Sequence, residues 1–132
     1  MYRTLPLIVA LLLILTACNS EQHRIERAAK CYIVATSEYN LDEACRYCTS
    51  ETAKGLMTIK EHILPKLDTS YIRQNSKAEI CIKDIVLIND TTANVLYHKQ
   101  TSETAYSDTL TMVKRNGQWL AQVQFIIPEV FL

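Results

Sequence analysis

The apolar residues of this chain change their spacing near Asn75, and that change decides the fold class. Before it they recur at intervals of three and four, the signature of amphipathic helices; after it they alternate, the signature of half-buried strands. Ile25, Ala28, Ala29, Tyr32, Ala35 and Tyr39 predict a helix over 20–38, with Ser20 as its N-cap. Asn40 then caps a second helix, with Glu43 at the capping-box position and Tyr39 placed to staple onto Ala44. Its apolar face is Leu41, Ala44, Cys45, Cys48 and Thr52. Gly55 precedes a third helix with the face Leu56, Ile59, Ile63 and Leu67, kinked or ended by Pro65. Strands are expected over 78–88, 93–99, 106–114 and 119–127. Three helices followed by a four-strand antiparallel meander make an α+β domain with the helices on one face of the sheet.

Two turns fix which side chains meet those helices. Asn116-Gly117 is a strong two-residue hairpin signal. It pairs Met112 with Ala121, Leu110 with Val123 and Asp108 with Phe125 on one face, apolar except for the acid. The other face pairs Val113 with Leu120, Thr111 with Gln122 and Thr109 with Gln124, and is mostly polar. A loop centred on Ser102-Glu103 pairs Val95 with Leu110, Ala93 with Met112 and Tyr97 with Asp108, which extends the same apolar face.

The N-terminus reads as an export signal. One positive charge, Arg3, precedes the apolar run 5–15, and Thr16-Ala17-Cys18 follows. A run of eleven residues containing Pro6 is too short for a stable membrane span, which needs about 20. Leu15-Thr16-Ala17-Cys18 resembles the lipobox of bacterial lipoproteins, which implies acyl chains on Cys18; two or three such chains give stable anchoring. An ordinary signal peptide cut near Ala17 is the alternative. The expected division is a signal peptide over 1–17, a lipidated Cys and short tether over 18–24, a domain over 25–127 and an apolar tail over 128–132. Asn19 after the anchor implies, under the enterobacterial sorting rule, an outer-membrane location facing the periplasm.

The chain carries 14 Lys and Arg against 14 Asp and Glu, and nearly half its 132 residues are apolar. A nucleic-acid-binding surface needs a basic excess, and this chain has none. With two glycines, at 55 and 117, it has no Gly-rich phosphate loop.

The helix break at Tyr39-Asn40-Leu41-Asp42-Glu43-Ala44, the strand Ala93-Asn94-Val95 and the closing Lys114-Arg115-Asn116-Gly117-Gln118-Trp119 occur in an order that resembles the nuclear transport factor 2-like superfamily, and within it the small bacterial lipoproteins of domain of unknown function 4878. The match runs from about residue 25 to residue 125. It implies three helices packed into a curved four-stranded sheet as a cone around a cavity. A cystatin-like sheet over one helix is disfavoured, because three helical segments precede the strands. Four extra cysteines and the tail Pro128-Glu129-Val130-Phe131-Leu132 depart from the pattern.

The pocket expected from the register is Tyr97, Asp108, Leu110, Met112, Val123 and Phe125, with Trp119 beside them. Enzymes of the superfamily, such as ketosteroid isomerases and polyketide cyclases, use an Asp or His base and a Tyr or Asp donor inside the cone. Asp108 and Tyr97 are therefore the weak catalytic candidates; the plainer reading leaves Asp108 solvated or bound to the Tyr97 hydroxyl. His98 falls on the outer face, His62 on the third helix and His23 near the anchor, so no metal site and no cofactor are expected. Cys45 and Cys48 have dithiol spacing but lie inside a helix. Disulfides, free thiols, a zinc shared with Cys31 and Cys81, and redox chemistry stay open, and a helical hairpin would bring Cys31 level with Cys48.

These readings predict a non-catalytic, membrane-anchored envelope lipoprotein whose domain binds a small apolar ligand, a peptide or a partner protein. The alternatives are a small isomerase or cyclase using Asp108, and a purely structural module with a filled cavity. Ile85-Val86-Leu87-Ile88, Val113, Leu120, Ile126 and the tail put apolar side chains on the face away from the helices. A homodimer through that face is expected, with the tail folding over it as the alternative.

Overall fold

The computed structural model describes residues 5–131, with side chains described from Ser20 to Val130. Helix α1 (Leu5–Ser37) is followed by α2 (Leu41–Ala44), which runs on as a 3-10 turn through Tyr47. Then come α3 (Ser50–His62), a 3-10 turn (Leu64–Lys66) and α4 (Thr69–Ser76). Four strands close the fold: β1 (Glu79–Asn89), β2 (Thr92–Gln100), β3 (Ala105–Arg115) and β4 (Gln118–Gln122), paired antiparallel in the order β1-β2-β3-β4. This is the α+β architecture expected, with a fourth helix added. No described helix is long and apolar enough to cross a membrane. The Cys18 side chain lies outside the described ones, and the backbone over 18–24, expected as a tether, is helical.

The inner register agrees with that derived from the turns. Tyr97 pairs with Asp108, Val95 with Leu110 and Ala93 with Met112, which in turn pairs with Ala121. Asn116 and Gly117 both have positive φ, 53° and 76°, the backbone of a type I′ turn. Ile25, Ala29, Tyr32 and Ala35 of α1 bury themselves against this face. Ala29, Ala44, Ala93 and Ala121 are all fully buried, small residues that suit close packing of helix on sheet. Two register shifts in β1, between Ile82 and Asp84 and between Leu87 and Asn89, are bulges of the kind that bend an edge strand.

Helix α1 ends on Tyr39, at φ 55°, where the Asn40 N–H donates to the Ala35 carbonyl at 2.9 Å. Asn40 caps α2 as expected, accepting from the Glu43 N–H at 3.3 Å.

Three expectations fail, for one shared reason: the outer edge of β4 needs partners. The second helix does not continue through Thr52. Cys48 leaves it in extended conformation and bridges Ala121, while the Thr49 N–H donates to the Ala121 carbonyl at 3.0 Å. Thr49 then caps α3, so the third helix begins five residues before Gly55. Strand β4 stops at Gln122 rather than 127, because the Val123 backbone is taken by a side chain. Its N–H donates to Thr52 Oγ1 at 3.0 Å, and Thr52 donates back to its carbonyl at 3.3 Å. An exposed strand edge is thereby covered by helix α3 and its cap. Gly55, now inside α3, is there because the Phe125 ring occupies the space a Cβ would need.

Candidate ligand cavity

One face of α1 presents Tyr32, Ile33 and Thr36, Tyr39 follows just past its end, and α3 contributes Leu56 and Ile59. Together with Leu110, Val123, Phe125 and the Tyr97–Asp108 pair they enclose a cavity of about 290 Å³. That volume lies at the small end of ligand pockets. Its wall is mostly apolar. Thr36 donates to the carbonyls of both Tyr32 and Ile33, at 3.1 and 3.0 Å, so its own hydrogen-bonding is satisfied within α1.

The polar groups left over are phenols. Tyr32 is 4% exposed, and burial, followed by the nearby Cys48 and Tyr97, raises its pKa above the usual tyrosine range. Tyr97 is pushed up to about 12 by burial first and then by the Asp108 carboxylate. Both hydroxyls therefore stay protonated and can donate to a ligand oxygen. Asp108 is exposed, and its Oδ1 accepts the Thr109 N–H at 2.7 Å. The carboxylate thus sits at the solvent side of the cavity, bonded to the backbone next to it.

Of the pocket residues expected from sequence, Tyr97, Asp108, Leu110, Val123 and Phe125 line this cavity. Met112 and Trp119 do not. Their register places them further toward the β3–β4 turn, where Met112 is fully buried in the core and Trp119 Nε1 donates to Glu21 at 2.8 Å.

Two features outside the cavity lining are absent from the sequence reading. Helix α4 carries Tyr71, whose ring lies 6.4 Å from that of Tyr39. Between α4 and the β2–β3 loop runs an open groove lined by Arg73, Lys77, Ser102 and Glu103. This polar helix has almost no apolar period; its only signal is Asp68, which caps it by accepting the Ser70 N–H at 3.0 Å. The second feature is Lys99. Residues 93, 95, 97 and 99 alternate onto one face of β2, so Lys99 points inward beyond Tyr97 and is 8% exposed. Its ammonium lies 6.0 Å from the Tyr106 ring centre, with no carboxylate bonded to it among the described residues, and burial lowers its pKa. Strand alternation alone could have placed it.

The thiols of Cys31, Cys45, Cys48 and Cys81 are free. Cys45 and Cys48 are within hydrogen-bonding reach of each other, and burial pushes Cys48 up to about 11. Cys48 leaves its helix in extended conformation to pair with Ala121 and does not continue a straight helical hairpin with α1. Among the described residues no three His, Cys, Asp or Glu side chains gather as a metal site, the proposed Cys31 and Cys81 ligands included. His98 lies on the outer face, its Nδ1 at 3.2 Å from Ser107 Oγ. Val113 and Leu120 are half-buried, while Ile126 and Val130 are 93% and 81% exposed, so these two do not lie over the outer face.

In fold the chain resembles a solved NTF2-like protein. The chain is similar to the structure of an NTF-2 like protein of unknown function from Shewanella oneidensis, at 17% identity and a TM-score of 0.53, over 76% of this chain and 93% of that one. A ketosteroid isomerase-like protein from Erwinia carotovora aligns at 16% identity and a TM-score of 0.48, over 78% and 92%. At such identities the likeness extends to the fold alone. No family model matches the chain, and no curated protein does.

Proposed function

We propose that this chain is a non-catalytic envelope lipoprotein, anchored by acyl chains on Cys18, whose domain holds a small, largely apolar ligand. The observation that carries the ligand reading is the cavity of about 290 Å³, apolar-walled, with the protonated Tyr32 and Tyr97 phenols as its polar contacts. Such a wall favours a hydrocarbon body, and the phenols favour an ester, ketone or carboxylic oxygen at one end. Anchoring rests on the apolar run over 5–15 and the Leu15–Cys18 resemblance. An outer-membrane location facing the periplasm follows from Asn19.

The test is intact-mass spectrometry of the chain extracted gently from its own membrane. Acyl chains on Cys18 and a non-covalent apolar adduct are expected, the adduct being lost in Ile59→Trp, which fills the cavity. An adduct that survives Ile59→Trp, or native protein that carries none and takes up no fluorescent fatty-acid probe, overturns the cavity reading. Cys18→Ser should release the domain into the soluble fraction; a variant still labelled by fatty acid overturns the anchor. An isomerase or cyclase reading would instead have Asp108 move a substrate proton, with its carboxylate turned from the Thr109 N–H into the cavity.

A further inference from the structure

Two bearings fix what lies beside the root of α1. Glu21 takes Lys114 Nζ at 2.8 Å, and the Lys114 N–H donates to the Thr91 carbonyl at 2.8 Å. The β1–β2 turn therefore lies toward the N-terminal end of α1, the end that Glu21 marks. Independently, Gln22 and Glu26 face Ile82 to Ile85 of β1, which runs antiparallel to α1. One helical turn back from Gln22 is Cys18, a rise of about 6 Å. Two residues on from Ile85 is Leu87, a similar distance along a strand. Cys18 and the end of β1 thus occupy the same level of the domain.

That end of β1 is apolar and uncovered. Val86, Leu87 and Ile88 are 43%, 47% and 56% exposed, and Ile88 sits in the second bulge, where the strand leaves its regular pairing. We infer that this corner is a second membrane contact: Leu87 and Ile88 enter the headgroup–acyl boundary of the bilayer that holds the Cys18 chains. The inference rests on the anchor reading and adds to it a fixed orientation, with the cavity mouth at the far end of α1. A second copy of the chain is the rival occupant. What favours the bilayer is the place of this corner, level with the residue that carries the acyl chains in the anchor reading. The only charge in the turn is Asp90, which is exposed, so the contact is apolar and insensitive to salt.

The experiment uses the full chain, processed in its native envelope and reconstituted into phosphatidylcholine vesicles containing acyl-brominated phosphatidylcholine. The chain has one tryptophan, Trp119, 4% exposed, which sets the background. Ile88→Trp adds a reporter at the corner, and Leu96→Trp adds one at mid-sheet on the outer face. Ile88→Trp should lose most of its added emission to brominated lipid at low and high salt alike, while Leu96→Trp loses little. Unquenched Ile88→Trp in a chain whose mass shows acylated Cys18 overturns the corner contact and leaves the anchor standing. Unacylated protein overturns the anchor, and the orientation with it. Emission of both reporters that shifts with protein concentration and not with lipid assigns the patch to a second copy and overturns the inference.

Discussion

Glu21 and Trp119, 98 residues apart in sequence, are joined by a hydrogen bond of 2.8 Å from the indole N–H to the carboxylate. The same oxygen takes Lys114 at 2.8 Å, so one acid ties the root of α1 to both strands of the last hairpin. Glu21→Gln keeps the shape and an acceptor for the indole but removes the partner of Lys114. With the acid about a quarter exposed, the expected loss is about 1 kcal/mol at neutral pH. Lys114 chiefly, and then Trp119, holds the Glu21 carboxyl below its ordinary value of 4.5. A lowered acid stabilises the fold above that ordinary value and ceases to as pH falls through the folded one. The gap between wild type and variant in urea midpoint should therefore close on acidification below pH 4.5; a gap constant from pH 7 to pH 3 refutes the assignment.

Thr52 does for β4 what a fifth strand would do, exchanging two hydrogen bonds with the Val123 backbone. Thr52→Val preserves volume and leaves that N–H and carbonyl without partners. A loss of about 2 kcal/mol is expected. Amide exchange at Val123 should accelerate in the variant well beyond the change at Thr49, whose N–H keeps the Ala121 carbonyl. Equal acceleration at both would mean global loosening and not an edge device.

The sheet was legible because its determinants are local. Asn116-Gly117 sets one turn, and strict alternation then fixes which of Tyr97, Asp108, Leu110 and Met112 share a face. What escaped the sequence depends on contacts made at long range. Cys48 reads as a helix-face residue until Ala121 is brought beside it, and the end of β4 depends on a threonine 71 residues away. The cavity was half legible: its sheet side follows from register, whereas Tyr32, Thr36 and Leu56 enter it only once the helices are docked. Trp119 was misplaced because nothing near it in sequence announces Glu21.

Gly55 and Phe125 should prove strongly coupled. Within a helix, Gly→Ala ordinarily gains about 1 kcal/mol, yet here the new methyl meets the Phe125 ring. Gly55→Ala should be neutral or destabilising in wild type and stabilising in a Phe125→Leu background, with a coupling of at least about 1 kcal/mol in a double-mutant cycle. Because Phe125 lines the cavity, Gly55→Ala should also weaken the binding of an apolar probe. Additive stabilities would show that the ring moves aside at no cost.

Lys99 gives a pH signature on the alkaline side. A buried ammonium without a bonded carboxylate costs stability, and its lowered pKa reflects that burial. Lys99→Met keeps the long apolar stem and removes the charge, so the variant should melt about 3 °C higher at pH 7. The sign follows from linkage. A lysine lowered in the folded state penalises folding wherever it is charged, and the penalty disappears as pH rises from the folded value to the ordinary 10.5, above which both states are neutral. Wild type and Lys99→Met should therefore converge in stability near pH 10.5, approached from a wild type that is the weaker at neutral pH. A variant less stable than wild type at pH 7 would mean that the Tyr106 ring contact outweighs the cost of burying the charge.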